Sequence, residues 1–233
     1  VTIDEIARVI MGMRSAFVTR VAIDGVDGAG KTVFGDKLGR RLEASGAKVI
    51  RASVDGFHHP RTIRYRRGRH SPEGFYQDSY DYATLQHALL DPLSPGGSGR
   101  YVTAVFDHTA DSPVKLPVRQ AMPSDVLIFD GIFVHRPELQ EYWDLSIFLD
   151  VAFEQSIDRF GKRDGGPTDP NDPLNRRYID GQQLYLRKCA PADRATVVVD
   201  NNEIDNPRIA RWSGESAQPG AELDGPTCGG SAS

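Results

Sequence analysis

Five short runs of β-branched and aliphatic residues recur along the chain, at 20–24, 48–55, 126–130, 145–150 and 196–200, and each closes on an aspartate. Apolar runs this short and this continuous suit strands covered on both faces, as in a parallel sheet. Between them the apolar spacing lengthens to that of helices. The first such segment opens with Thr2 and Glu5 placed as a capping box and repeats Ile3, Ile6, Ala7 and Ile10. Further helices are predicted over 30–44, over 79–90 with Tyr82, Leu85 and Leu89 on one side, and over 152–163 with Phe153, Ile157 and Phe160. A last one follows Asp172-Pro173 and stops before Pro191. Strands alternating with helices predict an α/β, three-layer fold around a five-stranded parallel sheet.

Three stretches interrupt the rhythm: an arginine-rich connection at 61–70 (RTIRYRRGRH), a turn-forming loop at 91–99, and a Gly/Pro/Asp segment at 165–173. Beyond 211 large aliphatic residues nearly vanish, so a domain over 1–211 followed by a disordered tail over 212–233 is expected.

Composition narrows the classes. A chain of 233 residues can bury a substantial core, and a net charge of −4 supplies no global field toward nucleic acid or anionic lipid. Two distant cysteines, Cys189 and Cys228, give no disulfide framework, and no apolar run reaches the roughly 18 residues of a membrane span. The expectation is a cytoplasmic protein, with a homo-oligomer left open. Residues 51–70 form a local exception, with six arginines against the single acid Asp55 and Tyr65 interleaved. A loop over an acceptor site, a solvated loop and an RNA contact all fit that charge, with the RNA reading weakest because the run begins so near Asp55.

The strongest chemical signal is Gly25-Val26-Asp27-Gly28-Ala29-Gly30-Lys31-Thr32, which matches GxxxxGK[ST] between a predicted strand and a predicted helix. Glycines let backbone N–H groups turn inward and, with the helix N-terminus, form an anion cradle. Lys31 then reaches the outer phosphates and Thr32 offers its hydroxyl to Mg²⁺. A plain Gly-rich turn would explain neither residue. A GTPase of the Ras type would need Asn-Lys-x-Asp, and no Asn-Lys pair occurs.

Transfer to a substrate requires a second acidic group and a lid that excludes water. Asp55 and Asp130 both close hydrophobic runs and both precede glycine. Asp130 reads as a metal-supporting acid and Asp55 as the group that accepts or orients an acceptor hydroxyl, against the plainer reading of both as helix caps. Asp150 and Asp200 read better as caps or turns. Arg159 and Arg163, four residues apart, would share the cationic face of a lid helix. His58 and His59, adjacent in an extended segment, would point apart, which disfavours a paired metal site.

Taken in order, GVDGAGKT, VDGFHHP, SYDYATL, AVFDH, DVLIFDGIFV and a helix ending in KRD resemble the P-loop kinases that include uridine kinase, pantothenate kinase and phosphoribulokinase. The resemblance implies a P-loop kinase fold with a helical lid at about 159–188, ATP and Mg²⁺ as cofactors, and a small-molecule acceptor. It implies Asp55 as catalytic base, Thr32 and Asp130 at the metal, and Phe106 and His108 against the acceptor. It further implies Arg163 as the lid arginine, with Arg176 and Arg177 reaching phosphates or substrate. A nucleoside such as uridine or cytidine is the first expectation for the acceptor, and pantothenate or another alcohol the second. A non-kinase or purely hydrolytic nucleotide-binding module is the competing class.

Overall fold

The hydrophobic runs assemble into the sheet that their burial demands. The computed structural model describes residues 1–13 and 16–213. Its main sheet has six strands, numbered here β1 (Thr19–Gly25), β2 (Val49–Ser53), β3 (Val126–Asp130), β4 (Leu145–Asp150), β5 (Val197–Asp200) and β6 (Arg208–Trp212). Their spatial order is β6-β5-β4-β1-β3-β2. The five expected strands are all parallel. The sixth, β6, runs antiparallel to β5 at the edge and was not expected. It also corrects the boundary at 211, because Trp212 belongs to the strand and the Ser213 N–H donates to Thr196 O at 2.7 Å. The rest of the expected disordered tail, 214–233, lies outside the described residues.

Parallel neighbours need crossovers, and helices supply them on both faces. The helices used below are α1 (Thr2–Met13), α2 (Lys31–Ala44), α3 (Pro72–Asp78), α4 (Phe153–Asp164) and α5 (Pro173–Cys189). Alternate strand residues serve opposite layers. Val21, Ile23, Val126 and Ile128 meet Ile6, Ile10, Phe34 and Leu38 of α1 and α2, all buried. Ala22, Leu127 and Phe129 face Phe57, Phe75, Phe133 and Tyr185 on the other side. This period-two division of one strand between two cores produces the three layers.

Local chemistry departs from expectation in two places. Thr2 lies inside α1 and its hydroxyl donates to Pro207 O at 2.8 Å, so it ties the helix to the approach of β6 instead of capping it. The helix expected over 79–90 begins at Tyr82, widens into a π turn over Gln86–Leu90 and ends at Leu93. Asp172 does cap α5, accepting the Leu174 N–H at 2.8 Å, and Asp200 holds a turn through the Asn202 N–H at 3.0 Å. Gly165 ends α4 in the left-handed region, at φ 71°, where a side chain would be strained. Among the described residues, no helix is long and apolar enough to cross a membrane.

Candidate active site

Strand register sets the site. Ile23 of β1, Ser53 of β2 and Asp130 of β3 stand level across the sheet, so Gly25 and Asp55 each emerge two residues beyond the same row. This is the carboxyl edge of the strands, beside β1, where the chain order reverses and open α/β sheets bind ligands.

The loop after β1 is pressed into shape by its neighbours. A Cβ on Gly28 would sit 2.0 Å from Ser156 O on α4, and its φ is +74°. The Asp27 N–H donates to Gln182 Oε1 on α5 at 2.6 Å, and Asn201 Nδ2 donates to Ala29 O at 2.7 Å. Lys31 Nζ donates to Gly25 O at 3.0 Å and Val26 O at 2.8 Å, which uses two of its three N–H groups. Beneath the loop, buried Asp24 accepts the Gly25 N–H at 2.7 Å, lies 2.6 Å from His135 Nδ1, and accepts the Tyr185 hydroxyl.

Thr32 Oγ1 donates to Asp130 Oδ2 at 2.9 Å, which joins the two residues expected at the metal. Asp130 is buried, and its other oxygen accepts from Arg51 Nη2 at 2.8 Å. A hydroxyl and one carboxylate beside a phosphate cradle fit Mg²⁺, which keeps water and takes substrate phosphate oxygens in place of a full protein cage. The described residues hold no cluster of three His, Cys, Asp or Glu groups.

Two cavities meet at this edge. One, about 120 Å³, is lined by P-loop residues together with Thr32, Asp130 and Asp55. The other, about 250 Å³, lies under α5 and the 61–70 loop and is lined by His58, His108, Phe75, Tyr178, Arg64 and Arg177 among others. Asp27, Asp55, Tyr80 and Arg163 line both. Tyr80 donates to Asp55 Oδ1 at 3.4 Å, and burial, then the Asp55 charge, hold its phenol well above the usual range, so it remains a neutral donor. His58 stacks on His108 with ring centroids 4.6 Å apart, and burial pushes its pKa down to about 4.

Residues 20–165 match the model of the Phosphoribulokinase / Uridine kinase family, more than half of the chain. The chain belongs to this family. A protein described as a possible uridine kinase from Bacillus stearothermophilus superposes with a TM-score of 0.66 at 24% identity, covering 84% of this chain and 96% of its own. The D-glycerate 3-kinase of Cryptococcus neoformans var. grubii gives 0.57 at 11% identity, covering 90% and 99%. These likenesses concern the fold. In sequence, a thymidylate kinase of Xanthomonas oryzae pv. oryzae is 27% identical over 208 residues, 84% of this chain and 87% of that relative.

Within this kinase of the phosphoribulokinase/uridine kinase family, several expected residues fall elsewhere. Phe106 is buried in a short ribbon opposite Pro113 and is not among the residues lining either cavity. Arg176 points outward and pairs with Asp180 at 3.9 Å, because one step along a helix turns a side chain by about 100° from its buried neighbour Arg177. Arg159 donates to the carbonyls of Asn201 and Asn202, so it fastens α4 to the turn after β5. The arginine-rich loop divides its charges. Arg66 and Arg67 converge on buried Asp78, while Arg64 and Tyr65 line the second cavity. Sequence reasoning missed Asn201, Gln182, Tyr185 and Arg51. An aspartate-terminated strand followed by Asn201 was a signal for the first; the others act only through tertiary partners.

Proposed function

We propose that this kinase transfers the γ-phosphate of ATP, with Mg²⁺, to a hydroxyl of a small metabolite held in the 250 Å³ cavity. The observation that carries the reading is the position of Asp55, which lines both the P-loop cleft and the second cavity. A hydroxyl bound in one and a phosphoryl group bound in the other would meet at its carboxylate, which accepts or orients the hydroxyl proton. Residues 25–32 cradle the triphosphate. Thr32 and Asp130 would hold the metal, whose role is to neutralise phosphate charge.

Lys31, at the P-loop, and Arg163, on α4 and shared by both cavities, supply positive charge where the transferring group carries it. Helices α4 and α5, with the 61–70 loop, cover the cavity and limit competing hydrolysis. The aromatic lining suits an acceptor with a flat or ring-shaped body, such as a nucleoside. The related proteins bear the names of kinases for different acceptors, so the acceptor has to be argued from the cavity itself.

The test is a panel of nucleosides, nucleotides, hydroxy acids and sugar phosphates incubated with Mg-ATP, with ADP and phosphorylated product measured separately. Acceptor-dependent ADP that Asp55→Asn abolishes while ATP still binds is the expected result. ADP formation indifferent to every acceptor and to that substitution would overturn the reading.

A further inference from the structure

The cavity is not evenly charged. The acids Asp27 and Asp55 lie on the part of its wall shared with the P-loop cleft, as does Arg163. Among the described residues, the remaining wall contains two guanidinium groups, Arg64 and Arg177, and no carboxylate. His58 on that wall stays neutral near pH 7, since burial holds its pKa low.

Both arginines are more than nine-tenths buried, at 8% and 6% exposure. Among the described residues Arg177 has no carboxylate within ion-pair distance. Its Nη1 donates to Arg69 O at 2.6 Å and its Nη2 to Arg64 O at 3.5 Å, the latter at the limit of a hydrogen bond, and the group lies over the Tyr65 ring at 4.8 Å. Its Nε is buried without an acceptor, and so is Arg64 Nε. Arg64 is paired from behind by Asp111 at 3.0 Å. A buried cation without a counter-charge is costly, and a buried guanidinium N–H without an acceptor adds to that cost. Burial accordingly pulls the Arg177 pKa below its ordinary value. The two backbone carbonyls and the aromatic ring fix the plane of the Arg177 fork without neutralising its charge. Such a fork is shaped for an oxyanion.

We infer that the acceptor carries an oxyanion, a carboxylate or a phosphate, which pairs with Arg177 and Arg64 while its hydroxyl reaches Asp55. The inference rests on the transferase reading for what the ligand becomes, but the anion site itself does not. It shifts the acceptor from an uncharged nucleoside to an anionic alcohol or a nucleotide.

The experiment uses protein saturated with Mg²⁺ and a non-hydrolysable ATP analogue, so that the P-loop is filled. Inorganic phosphate and acetate are then titrated separately by calorimetry, which distinguishes the two oxyanions. At least one should bind saturably, and Arg177→Met should weaken that binding about tenfold to a hundredfold, the loss of a charged hydrogen-bonding partner. Arg177→Lys should restore part of it. Should Arg177→Met fail to fold, Arg64→Met is titrated in its place. Failure of both ions to bind, or binding unchanged in whichever Met variant is titrated, overturns the inference. A purely structural role would shift the melting temperature and leave the anion titration intact.

Matched acceptors that keep the same free primary hydroxyl then link the site to turnover: uridine against uridine 3′-monophosphate, and glycerol against glycerate. Higher kcat/KM for the anionic member, lost through KM in Arg177→Met, supports the inference, and preference for the neutral member overturns it. If no acceptor stimulates ADP formation, the transferase reading fails while the ion titration still decides the anion site.

Discussion

The hydroxyl of Tyr185, on α5, donates to the buried carboxylate of Asp24, whose other oxygen accepts the first N–H of the P-loop at Gly25. Helix α5 and the P-loop are thus joined through one fully buried acid. His135 completes the group, with its Nδ1 beside the same carboxylate and its backbone N–H donating to the Tyr185 oxygen at 3.0 Å.

Tyr185→Phe removes one donor to Asp24 and the acceptor of the His135 N–H, with almost no change of shape. Asp24 keeps the Gly25 N–H and His135, but the buried His135 N–H is left unpaired, which costs about 1–3 kcal/mol. Urea unfolding should show a loss in that range, and the KM for ATP should rise more than kcat falls, because the change alters how Gly25 is held and leaves Asp55 untouched.

Gly28 admits no side chain. Gly28→Ala would drive a methyl into the Ser156 carbonyl at 2.0 Å, in a left-handed backbone conformation that already disfavours alanine. Either the loop or α4 must shift, at a cost of roughly 1–3 kcal/mol for the backbone alone. Thermal unfolding should fall, and binding of an ATP analogue should weaken by more than tenfold, as read by calorimetry.

Asp130 stands between Thr32 and Arg51. Asp130→Asn keeps the size and a hydrogen-bond acceptor for Thr32 but removes the charge. The magnesium concentration needed for half-maximal turnover should rise by about tenfold, with much less effect on nucleotide affinity measured without metal. Equal magnesium dependence in the two proteins would remove Asp130 from the metal site.

His58 gives a pH dependence of definite sign. Its folded pKa, about 4, lies below the unfolded value near 6.5, so between those limits the unfolded chain binds a proton that the native state refuses. Stability should therefore fall as pH drops from about 6.5 toward 4. In His58→Gln that part of the slope should vanish, a difference visible in denaturant unfolding at pH 7 and pH 4.5. Parallel slopes in the two proteins would contradict the burial that depresses the pKa.

Much of the site was legible because its decisive residues follow from local pattern. A strand ends, a glycine follows, and the register of neighbouring strands brings Asp55, Asp130 and the P-loop to one edge. The P-loop's supports were not legible, since Gln182, Asn201 and Tyr185 act across more than a hundred residues of chain. Arg51 was counted only as charge in a basic run, although its strand position points it at Asp130. Phe106 came from the resemblance alone, and the fold places it in a ribbon apart from the cavity. Strand β6 escaped because an edge strand with a half-exposed face, Arg-Ile-Ala-Arg-Trp, lacks the continuous apolar run that marks its neighbours.

That modest edge strand also covers a rim that would otherwise be open to strand pairing. Its partner β5 carries Val197, Val198 and Val199, a sequence that would template intermolecular strand pairing if its rim were bare. β6 occupies the rim and turns Arg208 outward, with a register shift between Ile209 and Arg211 that breaks a flat pairing surface. Shortening the chain to residue 207 would strip this guard and leave the β5 rim open to intermolecular strand pairing.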